Sequence, residues 1–574
     1  MSDVSTAISS LDRKRLRIEE LKTERASWVS HWREISEYNQ PRAGRFFVTD
    51  RNKGDKRHHS IHDRTAIGAA RTLAAGLMSG MTSPARPWFR MTLSDVELRE
   101  HGPVKSWLHR VTLLLREIFA KSNTYRALQQ GYGELGLFGT WATIVLPDYD
   151  NVMHHYPLTV GEYAIATNEK GVVDTLAREY EMTVGQIVAQ FGLANCSHTV
   201  QRLFSNNKLN AWVPVMHLIE PNPARDASKM DARNMRWSSC YFEQGNDNKQ
   251  FLRESGFKRF AALCPRWDVT SNDVYGHSPG MECLGDVKQL QFEQLRKAQA
   301  IDYQVNPPLQ VPTAYKESQT SRLPGGTMYY DAASPTGGIR SAFEVNLDLS
   351  ALREDIVDVR ERIRAAYYED LFKMLANDTR SGITATEVAE RHEEKLLMLG
   401  PVLERLNNEL LSPKIDLAFE FAQNAELFNP TLPNGQPNPL APPPELEGVD
   451  LNVDFISLLH QAQRIVAAQS TDRLLASVGS MAALWPDVRH KINALQVVDD
   501  YADTYGVNPE IVNDDGKVAE MMAAEARAAQ AAQMAAAAPV MADTAKTVGE
   551  IDANNMRDVL GGLMGYGSPT PQEV

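Results

Sequence analysis

The order of parts from residue 285 to 413 constrains the fold most. Apolar periodicity reads as a helix to about Gln304, stopped at Asn306-Pro307-Pro308. Residues 305–348 are short, Pro/Gly-rich, β-favouring pieces: "PPLQVPTAY", "GGTMYYD", "SPTGGIR". A second helix carries Leu349, Leu352, Ile356, Val359 and Ile363 at alternating spacings of three and four, with charges on its other faces. A polar loop follows, "NDTRSG", then a long helical pattern with Leu396, Leu399, Leu403, Leu406 and Leu410, expected to kink at Gly400-Pro401 and Pro413. Helix out, excursion, helix back and polar loop describe a protruding stalk with a tip.

Elsewhere the chain is α+β, mainly helical. Residues 10–38 read as one helix, with Leu16, Leu21, Trp28, Trp32 and Ile35 as its apolar contacts. Residues 63–82 form a helix rich in small residues, and 103–138 a third. Short strand patterns then appear at 141–148, 162–167, 172–180, 212–220, 235–243 and 258–264. Asp286 and Gln289 resemble a capping box, as do Thr384 and Glu387. Residues 429–448 form a Pro-rich connector, 455–510 a small helical module, and the remainder an Ala/Met/Gln helix with a disordered end.

Composition narrows the function. The chain has 574 residues, 43% of them hydrophobic and 23% charged, with net charge −13. That length calls for several domains or one elaborate fold. The acidic balance argues against gripping nucleic acid with a broad basic face. Cys196, Cys240, Cys264 and Cys283 form no CxxC pair and read as buried free thiols. The first twenty residues lack an apolar signal region, and the Ala-rich tract 521–542 is too polar for a membrane span.

Two enzyme-like features compete. "GYGELG", Gly131 to Gly136, fits GxGxxG but falls inside a helical pattern, where glycines serve close packing. His58, His59 and His62 could chelate a metal on a helix, or belong to a basic solvated loop. No GxxxxGK[ST] occurs, and no Ser-His-Asp or Cys-His set emerges from spacing.

Several stretches, taken as a series over about residues 10–425, resemble the portal (head-to-tail connector) proteins of podovirus-type short-tailed phages. They are "WVSHWREISEYNQPRAG", "AARTLAAGLMSGMTSPARPWFRM", "SNTYRALQQGYGELGLFGTWATIV", "TVGEYAIATNEKGVVDTLAREYEMTVGQIVAQFG", "YGHSPGMECLGDVKQL" and "GITATEVAERHEEKLLMLGPVLERLNNELLSP". The Ala-rich tail departs most. The resemblance implies a wing at 1–283 and 385–454, stem helices at 284–304 and 349–373, and a clip at 305–348. It implies a tunnel loop at 374–384, a crown at 455–512 and a C-terminal helical barrel at 513–574. A ring of identical subunits, usually twelve, would surround a channel for double-stranded viral DNA at one capsid vertex of the virion. Asn377, Asp378, Thr379, Arg380, Ser381 and Gly382 would line its narrowest part. Tyr315, Lys316, Arg322, Tyr329 and Tyr330 would form the docking surface for the terminase large subunit, then for tail adaptor and nozzle proteins. Leu349, Leu352, Ile356, Val359 and Ile363 would pack the stem. Major capsid and scaffolding proteins, and internal core or ejection proteins, would be further partners. No catalysis, cofactor, metal or membrane is expected.

Overall fold

The computed structural model describes residues 9–47, 60–95, 98–99, 101–245, 250–305, 309–310, 340–341, 350–377, 398–431, 434–446, 448–457, 474–481, 485, 487, 491–505, 512–513 and 516–532. The chain opens with α1 (Ser10–Glu24) and α2 (Ala26–Tyr38). Periodicity predicts one helix here, but the chain breaks at Arg25, because the two helices bury their faces in different places. Leu11, Ile18 and Leu21 of α1 pack on Met216, Leu218 and Phe242 of the large sheet. Trp32 and Ile35 of α2 enter the main core. Leu16, expected to be an apolar contact, is exposed.

Helix α3 (Thr65–Met81) lies at the centre of the main core. Its alanines and glycines let neighbouring helices come close. The expected 103–138 helix is two: α4 (Gly102–Lys121) and α5 (Thr124–Phe138), separated at Ser122-Asn123, whose polar side chains bond locally and to strand backbone. Helix α5 ends at Gly139, φ 74°, where a Cβ would lie 2.2 Å from the Gly276 carbonyl oxygen.

Between α3 and α4, strand β1 (Phe89–Leu93) pairs antiparallel with a strand far down the chain, described below. Strands β2 (Ala142–Asp148), β3 (Val152–Leu158), β4 (Tyr163–Thr167) and β5 (Val173–Thr183) follow α5. Two helices, α6 (Val184–Phe191) and α7 (His198–Ser205), come next. Thr183 and Gln186 form a capping box on α6. Strands β6 (Trp212–Pro221), β7 (Trp237–Glu243), β8 (Arg253–Phe257) and β9 (Ala262–Leu263) complete the mixed region. Of the expected strand 258–264, only those two residues of β9 are strand.

The larger sheet is a five-stranded antiparallel meander, β4-β5-β6-β7-β8, and the smaller is three-stranded, β3-β2-β9. Strand alternation divides the large sheet between two layers. Met216, Leu218 and Phe242 face α1, whereas Val215 and Tyr241 face Val184, Ile187, Phe191 and Val200 of α6 and α7.

Further elements are α8 (Pro279–Glu282), α9 (Leu284–Val305), β10 (Leu309–Gln310), β11 (Arg340–Ser341), α10 (Ser350–Ala366), α11 (Glu369–Asn377), α12 (Ser412–Asn424), β12 (Leu451–Phe455) and α13 (Ala494–Tyr505), and residues 398–406, 474–481 and 516–532 are also helical. β12 is the partner of β1, with Arg90 opposite Asp454, their side chains 2.8 Å apart. Because Asp286 lies within the first turn of α9, it does not cap that helix. Thr384 and Glu387 lie outside the described residues. The irregularity expected near Pro413 takes the form of a π turn at Asn407–Leu411, closed by the Ser412 N–H donating to the Asn407 carbonyl. All four cysteines are free and buried.

Candidate functional site: the helical stalk and its anchor

Helix α9 has 22 residues and so spans about 33 Å. Beyond it, β10 and β11 pair antiparallel, with Leu309 opposite Ser341 and Gln310 opposite Arg340. Helix α10 returns alongside α9. Ile356, Val359 and Ile363 of its stripe are buried in the main core, and Leu352 is half-buried against it. Leu349 lies outside the described residues.

The two helices grip one short segment of the body, residues 62–65. Gln291 Oε1 accepts from the backbone N–H groups of His62 (2.6 Å) and Asp63 (2.8 Å), while its Nε2 donates to the Asp63 carbonyl (2.8 Å). Asp63 Oδ2 accepts from Arg360 Nη2 at 2.6 Å, Arg360 Nε at 3.0 Å and Gln294 Nε2 at 3.1 Å. Asp63 Oδ1 accepts from the Thr65 hydroxyl and backbone N–H at the start of α3. Burial pushes the Asp63 carboxyl up, but the bonds from Thr65 and Arg360, together with the Arg360 charge, hold it below the usual carboxylate range. Lys288 pairs with Glu34 at 2.9 Å, and Arg362 joins Asp286 at 3.5 Å. The carboxyl of Glu293 on α9 meets Asp355 on α10; burial, then the neighbouring carboxyl, pushes it up despite the bond from Gln289.

The second stalk helix is not one rod to residue 373. It bends at Tyr367-Tyr368, where Tyr368 has φ 53°. The reason is packing. Tyr367 is fully buried with its hydroxyl accepting from Asn39 Nδ2 at 3.2 Å, and Phe372 fits over Gly76, where a Cβ would come within 2.1 Å of its ring. Glu369 bridges the bend to Arg364 at 3.3 Å and Lys373 at 3.1 Å. Helix α11 then continues through Asn377, so residues 374–377, expected in the loop, are helical.

On α10, Arg353, Arg360, Arg362 and Arg364 balance Glu354, Asp355, Asp358 and Glu361. Phe292, Tyr303 and Val305 of α9 and Val357 of α10 are exposed. Such exposed aromatic and aliphatic groups suit contact with other protein.

Asp378, Thr379, Arg380, Ser381 and Gly382 lie outside the described residues, as do Tyr315, Lys316, Arg322, Tyr329 and Tyr330. His58 and His59 do too; the backbone N–H of His62 donates to Gln291 Oε1. Gly131 and Gly136 lie inside α5, their Cβ positions blocked by Trp141 and Leu73, so "GYGELG" opens no helix onto a phosphate. Among the described residues no cluster of three or more His, Cys, Asp or Glu could hold a metal, and no helix is long and apolar enough to cross a membrane. Asp63, Gln291 and Gln294 escape sequence reasoning. The one local signal is the Asp63-x-Thr65 pattern ahead of α3, which marks a helix start but not its long-range partner.

The family described as bacteriophage head to tail connecting protein matches residues 12–512. A "Probable portal protein" of Bordetella phage BPP-1 is 56% identical over 550 residues, covering 95% of this chain and 97% of that one. The "Portal protein" of Salmonella phage epsilon15 is 41% identical over 537 residues, covering 93% and 95%. Among solved structures, a chain in the neck of a native gene transfer agent particle, computed with C12 symmetry, is 12% identical with TM-score 0.33, covering 76% of this chain and 92% of that chain. By the extent of the family match and the identity to these two relatives, the chain belongs to the bacteriophage head-to-tail connecting protein family.

Proposed function

We propose that this chain is a portal protein. Identical copies close into a ring, twelve being the expected number, at the head–tail junction of a virion. Double-stranded viral DNA passes through the central channel, inward during packaging and outward at ejection. The observation that carries this reading is identity of 56% and 41% to portal proteins over more than nine-tenths of each chain.

Within this reading each segment has a role. Helices α9 and α10 act as the stem, tied to the wing through Asp63, Gln291 and Arg360. The balanced charge of α10 suits DNA that must slide, because rings of unpaired cations would hold phosphates. Phe292, Tyr303, Val305 and Val357 meet neighbouring copies. The segment 305–348 acts as the clip, with Tyr315, Lys316, Arg322, Tyr329 and Tyr330 as the surface for the terminase large subunit and later for tail adaptors and nozzle. Residues 377–382 line the narrowest channel, with Arg380 approaching phosphates. Capsid, scaffolding and internal core or ejection proteins complete the partners. The chain works without catalysis, the motor's ATPase being a separate protein.

The test is a packaging assay with Arg380→Ala. Reduced packaging or poor genome retention is expected. Normal packaging with full retention would contradict the role given to Arg380.

A further inference from the structure

A cleft of about 750 Å³ opens between the end of α1, the segment around Arg45, the outer face of α5, and strands β3 and β5. Five Lys/Arg side chains and three carboxylates line it. Glu179 pairs with Lys22 at 3.2 Å and Glu162 with Arg45. The surplus is positive. Arg25 donates one Nη to the Tyr163 carbonyl, but its Nε is buried without a partner. Arg126 stands exposed on α5 with no ion pair or hydrogen bond among the described residues. Aromatic surface lines the same cleft: Tyr156 of β3 is 42% exposed and Phe47 is 65% exposed.

Open guanidinium donors select carboxylate or phosphate, and adjoining aromatic rings favour a protein side chain over a bare anion. Nucleic acid fits poorly. A phosphate backbone is held by a row of unpaired cations, whereas in this cleft Lys22 and Arg45 are already paired to Glu179 and Glu162 and no such row is present among the described residues. From this geometry we infer that the cleft docks an acidic peptide segment of a partner protein, a carboxylate on Arg126 and an apolar side chain against Tyr156 and Phe47. The inference stands apart from the channel reading, since none of these residues belongs to the stalk.

The experiment uses the full-length protein and a fluorescein-labelled hexapeptide of Glu and Asp around one Phe and one Leu. Its amide counterpart, with Gln and Asn, and a short single-stranded oligonucleotide serve as controls. Fluorescence anisotropy should show the acidic peptide binding, about tenfold more weakly to Arg126→Ala than to the native chain. Arg126 is exposed, so this variant should keep its melting temperature. Phe47→Ala should weaken the peptide as well, which a purely electrostatic patch would not. The inference is overturned by no binding, by equal binding of the amide peptide, by an unchanged Arg126→Ala, or by tighter binding of the oligonucleotide.

Discussion

Arg360 on the second stalk helix donates both Nη2 (2.6 Å) and Nε (3.0 Å) to one oxygen of Asp63, whose side chain is 7% exposed. One ion pair thus ties the stalk to the entry of the central helix α3. Arg360→Ala would leave the carboxylate buried with only Thr65 and Gln294, a loss of roughly 1–3 kcal/mol. Thermal unfolding should show this loss, and Asp63→Asn in the same chain should recover part of it, since no charge is then stranded. Because the Asp63 carboxyl is held below its usual range, its contribution is present at neutral pH and is lost as pH falls through the folded-state value.

That anchor also marks how much was legible in the sequence. The stalk helices and most strands of the large sheet follow from apolar spacing and turn residues. What spacing could not supply is partnership across the chain. The ladder pairing Phe89–Leu93 with Leu451–Phe455 joins two short segments, neither of which carries a clear strand pattern alone. Arg360 reads as one more solvated charge until Asp63 is placed beside it. The break at Arg25 is invisible to a period of 3.6, because both halves are amphipathic and only their destinations differ. Residues 311–339 and 378–397, which include the proposed docking surface and all but the first residue of the proposed channel loop, lie outside the described residues.

Gly76 should not tolerate a side chain. Alanine in a helix interior ordinarily stabilises relative to glycine by about 0.5–1 kcal/mol. Here its Cβ would lie 2.1–2.4 Å from three atoms of Phe372, so overpacking by about 1–3 kcal/mol wins and the bend before α11 shifts. Gly76→Ala should lower the melting temperature, and Phe372→Leu should partly rescue it; additive losses would contradict the contact.

Glu409 sits in the π turn and accepts from Arg266 through its backbone N–H (2.9 Å), Nε (3.2 Å) and Nη2 (2.6 Å), with Arg266 buried. Glu409→Ala strands that guanidinium and should cost about 3–5 kcal/mol, seen as a lower denaturant midpoint. Glu409→Gln, which keeps an acceptor, should cost less.

Burial pushes the Glu134 carboxyl up to about 7 from 4.5, against the bonds from Thr159 and Val160. A raised carboxyl binds its proton more tightly when folded. Its stabilising contribution is therefore complete below pH 4.5 and is lost as pH rises through 7. Relative to Glu134→Gln, the native chain should lose stability across that window, by roughly 3 kcal/mol at most. Parallel stability–pH curves for the two chains would show that the carboxyl does not titrate there.

The proposed assembly is a closed ring around a channel, with α9 and α10 forming its stem. Single-particle imaging of the purified full-length chain tests it most directly. Ring-shaped particles with a central hole are expected, with Phe292, Tyr303, Val305 and Val357 covered by neighbouring copies. A population of monomers without rings, or rings in which those side chains face solvent, would contradict it.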